Sequence, residues 1–411
     1  TKCHGDAACA GYTEGEFTID MAFHYTGFCV ISSSGKAKCL GYGGSYALGK
    51  QTNGQSNTLT FIDVDNIDGS SDDKSAVSIK GSNSNHIALM RDGSLVSWGS
   101  NYVSQWPSFV EYNNVKITNA IKIAVAGHIC AVLDTGEMLC WGSNSKGEVD
   151  TNRGTTKYGP VTAGGTGSSW KMDGSTDERS VVDVAVGNYL TCALMKDGKL
   201  RCWGDNSRGQ TGQGTVSSYD THPSDNEVIG IDGQTPASTV VKMKRGNYHM
   251  CVLLQDGSLK CWGKGTDGQL CNADLLDHSS PVKLFAGESI KDFTSGYLDT
   301  CILTTAGEVK CCGKGYAVSA DADWTNQQIK HTTPKTIPGI SNGLAIYSDI
   351  GDTRMCVLME DRSMKCWGQN YNGGTGIGSS SPSYNPVSNS DVLNLQTYSA
   401  NYGALVAGSG N

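Results

Sequence analysis

The residues of this chain whose type and spacing could do chemistry are its sixteen cysteines. A thiol can attack a substrate, bind a metal or form a disulfide. Twelve fall into pairs ten positions apart: Cys29/Cys39, Cys130/Cys140, Cys192/Cys202, Cys251/Cys261, Cys301/Cys311 and Cys356/Cys366. A zinc site needs four converging ligands, usually with C-x-x-C spacing, and that spacing occurs nowhere. Regular pairing of this kind points to disulfides and an oxidising compartment. Cys271 and Cys312 each occupy a place that other repeats give to a different residue, in neighbouring copies, so they are expected to bond to each other. Cys3 and Cys9 remain, and Cys3–Cys9 completes the set.

Other chemistry is sparse. His86, His128 and His249 precede the first cysteine position of their repeats by one or two residues, a place that suits packing better than catalysis. No G-x-S-x-G elbow, H-E-x-x-H helix, phosphate loop or dinucleotide fingerprint is present. Asp63, Asp65 and Asp68 lack the spacing and glycine of a calcium loop. Neither a catalytic nor a metal site is expected, and no cofactor. The recurring Trp-Gly pairs read as core. Trp106, Trp170 and Trp324 break the repeat, lie in variable loops and are candidates for a contact surface.

The elements that position the cysteines are β-hairpins. In residues 192–204, C-A-L-M-K-D-G-K-L-R-C-W-G, a three-residue loop at Lys196, Asp197 and Gly198 places Cys192 opposite Cys202. Such a loop requires a left-handed residue, here Gly198. Facing residues lie within the span of a disulfide. The hairpin recurs with centres near residues 34, 92, 135, 197, 256, 306 and 361. The second copy has Ile87 and Ser97 in place of the cysteines and should form without a staple. A period of roughly 50 residues means a solenoid, a propeller or an array.

Abundant glycine (53) with scarce proline (9) suits many short strands joined by turns. The expected architecture is all-β: a single propeller of about four-stranded blades over residues 1–411. Seven blades are expected, or eight if the termini make a split blade. Residues 1–16 resemble the second half of a hairpin and 393–411 the first half, so their pairing is expected to close the ring. The stretches 51–75, 150–177 and 215–239 read as face loops. A net charge of −8 argues against a nucleic-acid partner. No apolar run is long enough for a membrane span. A start at Thr1 without a leader is what a processed secreted protein would show, and no N-x-Ser/Thr sequon occurs.

The pattern C-A-L-x-x-D-G-x-L-x-C-W-G-x-N-x-x-G-Q over residues 17–376 resembles the repeat of the regulator of chromosome condensation family. The resemblance implies a seven-bladed β-propeller. Founding members of that family exchange guanine nucleotide on a small nuclear GTPase. Cysteine staples, an acidic balance and the lack of a basic tail set this chain apart from them. It looks closer to secreted members that dock proteins on a propeller face. The expected function is a non-enzymatic, extracellular interaction or structural subunit of an assembly, a filament included. The alternatives are a soluble binder of a protein or glycan through one face and, last, an exchange factor.

Overall fold

Each hairpin forms in the register its turn dictates. Cys192 faces Cys202 and Leu194 faces Leu200. The Gly198 amide donates to the Met195 carbonyl at 3.0 Å and the Met195 amide to the Lys199 carbonyl at 2.9 Å. Gly198 holds φ +90°, where a side chain would be strained. Six facing pairs are disulfide-bonded: Cys29–Cys39, Cys130–Cys140, Cys192–Cys202, Cys251–Cys261, Cys301–Cys311 and Cys356–Cys366. Their Cα atoms lie 4.0 to 4.2 Å apart. In the second hairpin Ile87 faces Ser97 in the same register without a bond.

The computed structural model describes residues 18–24, 27–50, 57–82, 85–99, 108–164, 171–219, 226–315, 318, 329–348, 354–360, 364–368 and 383–389. Three strands of every blade run in sequence order as an antiparallel meander, and in every blade but the fourth another strand pairs outside them. Blade 1 holds Thr18–His24, Gly27–Ser32, Lys36–Gly41 and Thr58–Asp68. Blade 2 holds Ala76–Ser82, Asn85–Met90, Leu95–Gly99 and Ser108–Phe109, and blade 3 Ala120–Val125, His128–Leu133, Met138–Gly142 and Lys157–Thr162. Blade 4 comprises Val181–Gly187, Leu190–Met195 and Leu200–Gly204, with a single bridge from Arg201 to Glu227 in the fourth place. Blade 5 is Val240–Arg245, His249–Leu254, Leu259–Gly263 and His278–Leu284. Blade 6 is Ile290–Ser295, Asp299–Thr304, Val309–Lys314 and Lys330–Thr336, and blade 7 is Gly343–Ser348, Arg354–Met359, Met364–Gly368 and Ser383–Asn389.

Among the described residues the blades number seven. The first strands of successive blades adjoin one another and so surround the axis. The core lies between blades: Val132 and Met138 of blade 3 pack with Ala193 and Trp203 of blade 4. Phe23 and Phe28 of blade 1 join Leu358 and Met364 of blade 7 in one buried cluster, which closes the ring by face packing. The expected pairing of segments 1–16 and 393–411 lies outside the described residues.

Two of the expected face loops contain strands instead. Thr58–Asp68 and Lys157–Thr162 pair with the third strands of blades 1 and 3. Lys157–Thr162 is partly exposed along its length and carries little apolar sequence, whereas Thr58–Asp68 buries Val64 and Ile67 in the cluster of blades 1 and 2. Each still covers the edge of a third strand, which would otherwise be left unpaired.

The glycine that closes each unit has a tertiary cause. Gly204 sits at φ +115°, and a Cβ there would meet the Tyr189 carbonyl oxygen at 2.1 Å. The tryptophan before it is buried in blades 2, 3, 4, 5 and 7. Trp262 donates from Nε1 to the Gln210 carbonyl in the loop of blade 4 at 2.8 Å, and Trp98 to the Ala47 carbonyl of blade 1 at 3.3 Å. Each therefore seals its blade to the loop of the one before. At the next such contact, between blades 5 and 6, Cys271 and Cys312 replace the glycine and tryptophan and form a disulfide. Among the described residues no cysteine is free, and no helix is long and apolar enough to cross a membrane.

Candidate interaction surfaces on the two faces of the ring

The face that carries the hairpin turns is shaped by a repeated irregularity. In each first strand the register with the second strand shifts at one residue. Thr18 pairs with Ser32 and Asp20 with Ile31, which leaves Ile19 as the bulge. The same shift leaves Val77, Ile121, Val182, Val241, Lys291 and Leu344. Bulges re-aim a side chain. Six of these seven are apolar, and Ile121, Val182 and Val241 are 46, 39 and 61% exposed. Because first strands surround the axis, the seven mark an annulus at one mouth of the ring, exposed at Ile121, Val182 and Val241 and packed into the clusters between blades at Ile19, Val77 and Leu344.

One residue further along, the ring carries charge: Asp20, Ser78, Lys122, Asp183, Lys242, Asp292 and Ala345. The charges pair across blade seams. Lys80 Nζ lies 2.8 Å from Asp20 and Lys242 Nζ 2.6 Å from Asp292. Burial holds the Asp183 carboxyl above its usual range, against the pull of Lys122. Burial also lowers the Lys244 ammonium to about 8, against the pull of Asp292. Side chains of blade 5 then reach blades that are not its neighbours: Lys244 donates to the Ile346 carbonyl of blade 7 at 3.4 Å, and Arg245 to the Val125 carbonyl of blade 3 at 2.9 Å.

The opposite face is made by the turns between first and second strands and by the loops after each Trp-Gly. Its seams use histidine. Thr191 donates to the Glu148 carbonyl at 2.6 Å, so its oxygen is left to accept from His128 Nε2, also at 2.6 Å. His249 Nε2 meets Thr300 Oγ1 at 2.9 Å in the same way. His86 stacks on Trp98 with ring centroids 5.0 Å apart. Burial pushes all three imidazoles down to about 3, so they are neutral at physiological pH. His128 and His249 thus join neighbouring blades, and His86 packs within blade 2.

A cleft of about 360 Å³ opens on this face where blades 3, 4 and 5 meet. Lys146, Tyr189, Asp205, Ser207, Arg208, Tyr248 and Lys264 line it. Tyr189 and Tyr248 end equivalent turns, Gly-Asn-Tyr at 187–189 and 246–248. Asn188 and Asn247, one residue earlier in each turn, hydrogen-bond to each other. Tyr189 is 39% exposed and holds φ +61°, a conformation rare for a bulky residue. The Asp205 carboxylate forms the floor.

The residues singled out from sequence fare unevenly. Seven of the eight expected sulfur pairs are bonded in the structure. None of the six hairpin staples contributes to either surface. Cys29, Cys130, Cys192, Cys251, Cys301 and Cys356 on the second strands are fully buried. So are their partners on the third strands, Cys39, Cys140, Cys202, Cys261, Cys311 and Cys366. Their sulfurs belong to the clusters between blades: Cys39 packs toward blade 2, Cys140 toward blade 4, and Cys311 with blade 7. Cys261 joins the cluster of blades 5 and 6, and Cys366 that of blades 7 and 1. These cysteines are structural, and a site must be sought elsewhere. Cys3 and Cys9, and all three loop tryptophans, Trp106, Trp170 and Trp324, lie outside the described residues. Asp63 and Asp65 face Lys38 and Lys50 at 3.4 and 2.7 Å from an outer strand. The annulus and the cleft escaped the sequence reading. Two adjacent apolar residues at the start of a first strand, as in Val181-Val182 and Val240-Val241, were the available signal for the first. The recurrent Gly-Asn-Tyr was the signal for the second.

Seven antiparallel blades packed face to face around an axis define a β-propeller. The family model of the regulator of chromosome condensation (RCC1) repeat matches residues 124–148, 181–210 and 240–269, the hairpins of blades 3, 4 and 5. These three matches, together with the propeller fold, support an RCC1-repeat propeller. It is 29% identical over 191 residues to the RCC1 domain-containing protein RUG3, mitochondrial, of Arabidopsis thaliana, covering 46% of this chain and 40% of that protein. It is 24% identical over 295 residues to the E3 ubiquitin-protein ligase HERC2 of Homo sapiens, covering 69% of this chain and 6% of that protein. The chain thus spans less than half the length of either relative. Its fold is similar to Prp20p from Saccharomyces cerevisiae, with a TM-score of 0.66 at 16% identity over 85% of each chain. It is similar also to human WBSCR16, with a TM-score of 0.56 at 17% identity over 90% of this chain and 81% of that one.

Proposed function

We propose that this chain is a non-enzymatic docking propeller of an oxidising, extracellular environment, and that it holds a protein partner on the face of its hairpin turns. The observation that carries the reading is the apolar annulus of Ile121, Val182 and Val241, exposed on a rigid ring. Apolar side chains gathered at one exposed place are what an interaction site leaves uncovered. The charges one residue deeper are engaged with each other across the seams, so recognition rests on apolar contact. The partner therefore presents an apolar anchor to the axis, with pocket-filling residues of the kind that dominate binding energy. Six hairpin disulfides support an oxidising location, since cytosolic and nuclear thiols are kept reduced. They weigh against transferring to this chain the binding to Gsp1p and histones recorded for Prp20p.

The test is affinity capture from the extracellular fraction with the native chain and with Val241→Glu, followed by titration of the purified captured protein. A partner that binds the native chain and is lost by the variant supports the reading. Light scattering at increasing concentration asks whether that partner is a second copy. A captured partner that binds both chains equally would sink the annulus as the docking site.

A further inference from the structure

The cleft on the opposite face has a feature that the fold does not require. Asp205 is 4% exposed. Its Oδ2 accepts from Gln210 Nε2 at 2.7 Å and from Ser207 Oγ at 3.0 Å. Its Oδ1 has no hydrogen-bond donor, and the nearest cation, Lys146 Nζ, stands 3.8 Å away. A buried acceptor without a donor is costly and marks a place where a partner group is missing. Blades 3 and 5 have Ser143 and Lys264 at this position, so the carboxylate belongs to blade 4 among these three.

The walls restrict what can supply that donor. Lys146, Arg208 and Lys264 line the cleft together with the carboxylate, which disfavours a cationic group such as a lysine or arginine side chain. An acidic group would meet Asp205 itself. The cations are also matched locally: Lys264 lies 2.7 Å from Asp267 and Arg208 3.0 Å from Asp277. The cleft therefore carries little net field to hold a polyanion. A hydroxyl group both donates and accepts without charge. A ring of hydroxyls can give one hydrogen to Asp205 and accept from the three cations. Tyr189 and Tyr248 offer aromatic surface for the apolar face of such a ring. Burial, with Tyr297, Tyr189 and Asp205 nearby, holds the Tyr248 phenol above its usual range, so its hydroxyl stays a donor.

We infer that this cleft is a binding site for a neutral saccharide, with Tyr189 and Tyr248 as stacking surfaces and Asp205 Oδ1 as the acceptor for a sugar hydroxyl. Its volume of about 360 Å³ lies at the small end of ligand sites, which fits one or two sugar rings. The site goes beyond the docking role proposed above and lies on the other face, so either can fail alone.

The test uses an array of neutral and acidic oligosaccharides probed with the native chain, then calorimetric titration of the best ligand. Two variants accompany it. Asp205→Asn keeps the shape and removes the charge, and Tyr189→Asn removes the ring with a residue that tolerates positive φ. The expected result is a neutral saccharide bound by the native chain and weakened about tenfold or more by each variant, with thermal unfolding of the variants recorded alongside. Failure of every neutral saccharide to bind overturns the inference. So does binding confined to sulfated or uronic ligands that is abolished by salt, or binding that both folded variants retain in full.

Discussion

The two faces of the ring are built from the same seven units and differ in what they repeat. On the turn face, a bulge falls at the same place in every first strand, and six of the seven bulged residues are apolar. On the cleft face, the residue after the closing glycine differs among the three blades that meet at the cleft: Ser143, Asp205 and Lys264. The backbone there is as regular as before: the closing glycines of blades 4 and 5 sit at φ +115° and +98°. A propeller thus fixes backbone positions on both faces, and only side-chain choice distinguishes them. Uniform choice makes a ring that suits one axial partner. Varied choice makes a local site between particular blades.

The comparison can be broken first at the seam beneath the cleft. Trp262→Ala removes a fully buried side chain and its bond to Gln210. It should destabilise the protein by about 3–5 kcal/mol, read by guanidinium unfolding, and should raise hydrogen exchange around residues 205–212 before the turn face responds. Equal exchange on both faces would show that the seam is not local.

Next is the substituted seam. Cys312→Ser should lower stability by about 2–4 kcal/mol. Cys271→Gly with Cys312→Trp restores the pair that Gly212 and Trp262 form between blades 4 and 5. That double variant should recover part of the loss, and recovery should persist under reductant. A double variant no better than the single one would mean that the disulfide and the packed pair are not interchangeable.

Acid sharpens the contrast. His86, His128 and His249 are buried neutral, with folded values near 3 against an ordinary 6.5. Below pH 6.5 the unfolded chain takes up protons that the folded chain refuses. Stability is therefore full above that pH and falls as pH drops towards 3. Each histidine contributes up to about 1.4 kcal/mol per pH unit. Denaturant midpoints between pH 7.5 and 5 should show the slope, and His128→Gln should reduce it by one histidine's share. An unchanged slope would count against a neutral His128.

The smallest effect on stability belongs to the annulus. Val241 is 61% exposed, so Val241→Glu should move stability by no more than about 0.5 kcal/mol while abolishing partner capture. A larger loss of stability would mean that the residue is core to the fold.

Much of this was legible in order along the chain. The spacing of Cys192 and Cys202 around Asp197-Gly198 is local, and a hairpin's register follows from its turn, so facing pairs could be read without a structure. Cys271 and Cys312 could be read as partners because each departs from its repeat once, in adjacent units. The outer strand Thr58–Asp68 was missed although Ile62-Asp63-Val64-Asp65 alternates, because the Gly, Ser, Asn and Asp residues on either side of it read as loop. The annulus was missed because a bulge is a relation between two strands, and the cleft because three blades must meet before Lys146, Asp205 and Lys264 share a space.

By itself the sequence determined the unit, its covalent rungs and the number of repeats, since each depends on residues within about a dozen positions of one another. The tertiary structure alone decided how blade 7 meets blade 1, which strand residues turn out towards solvent, and that the Asp205 carboxylate is buried with one oxygen unfilled. Those are properties of surfaces brought together across a ring. No local pattern encodes them, because the groups that create them are far apart in the chain.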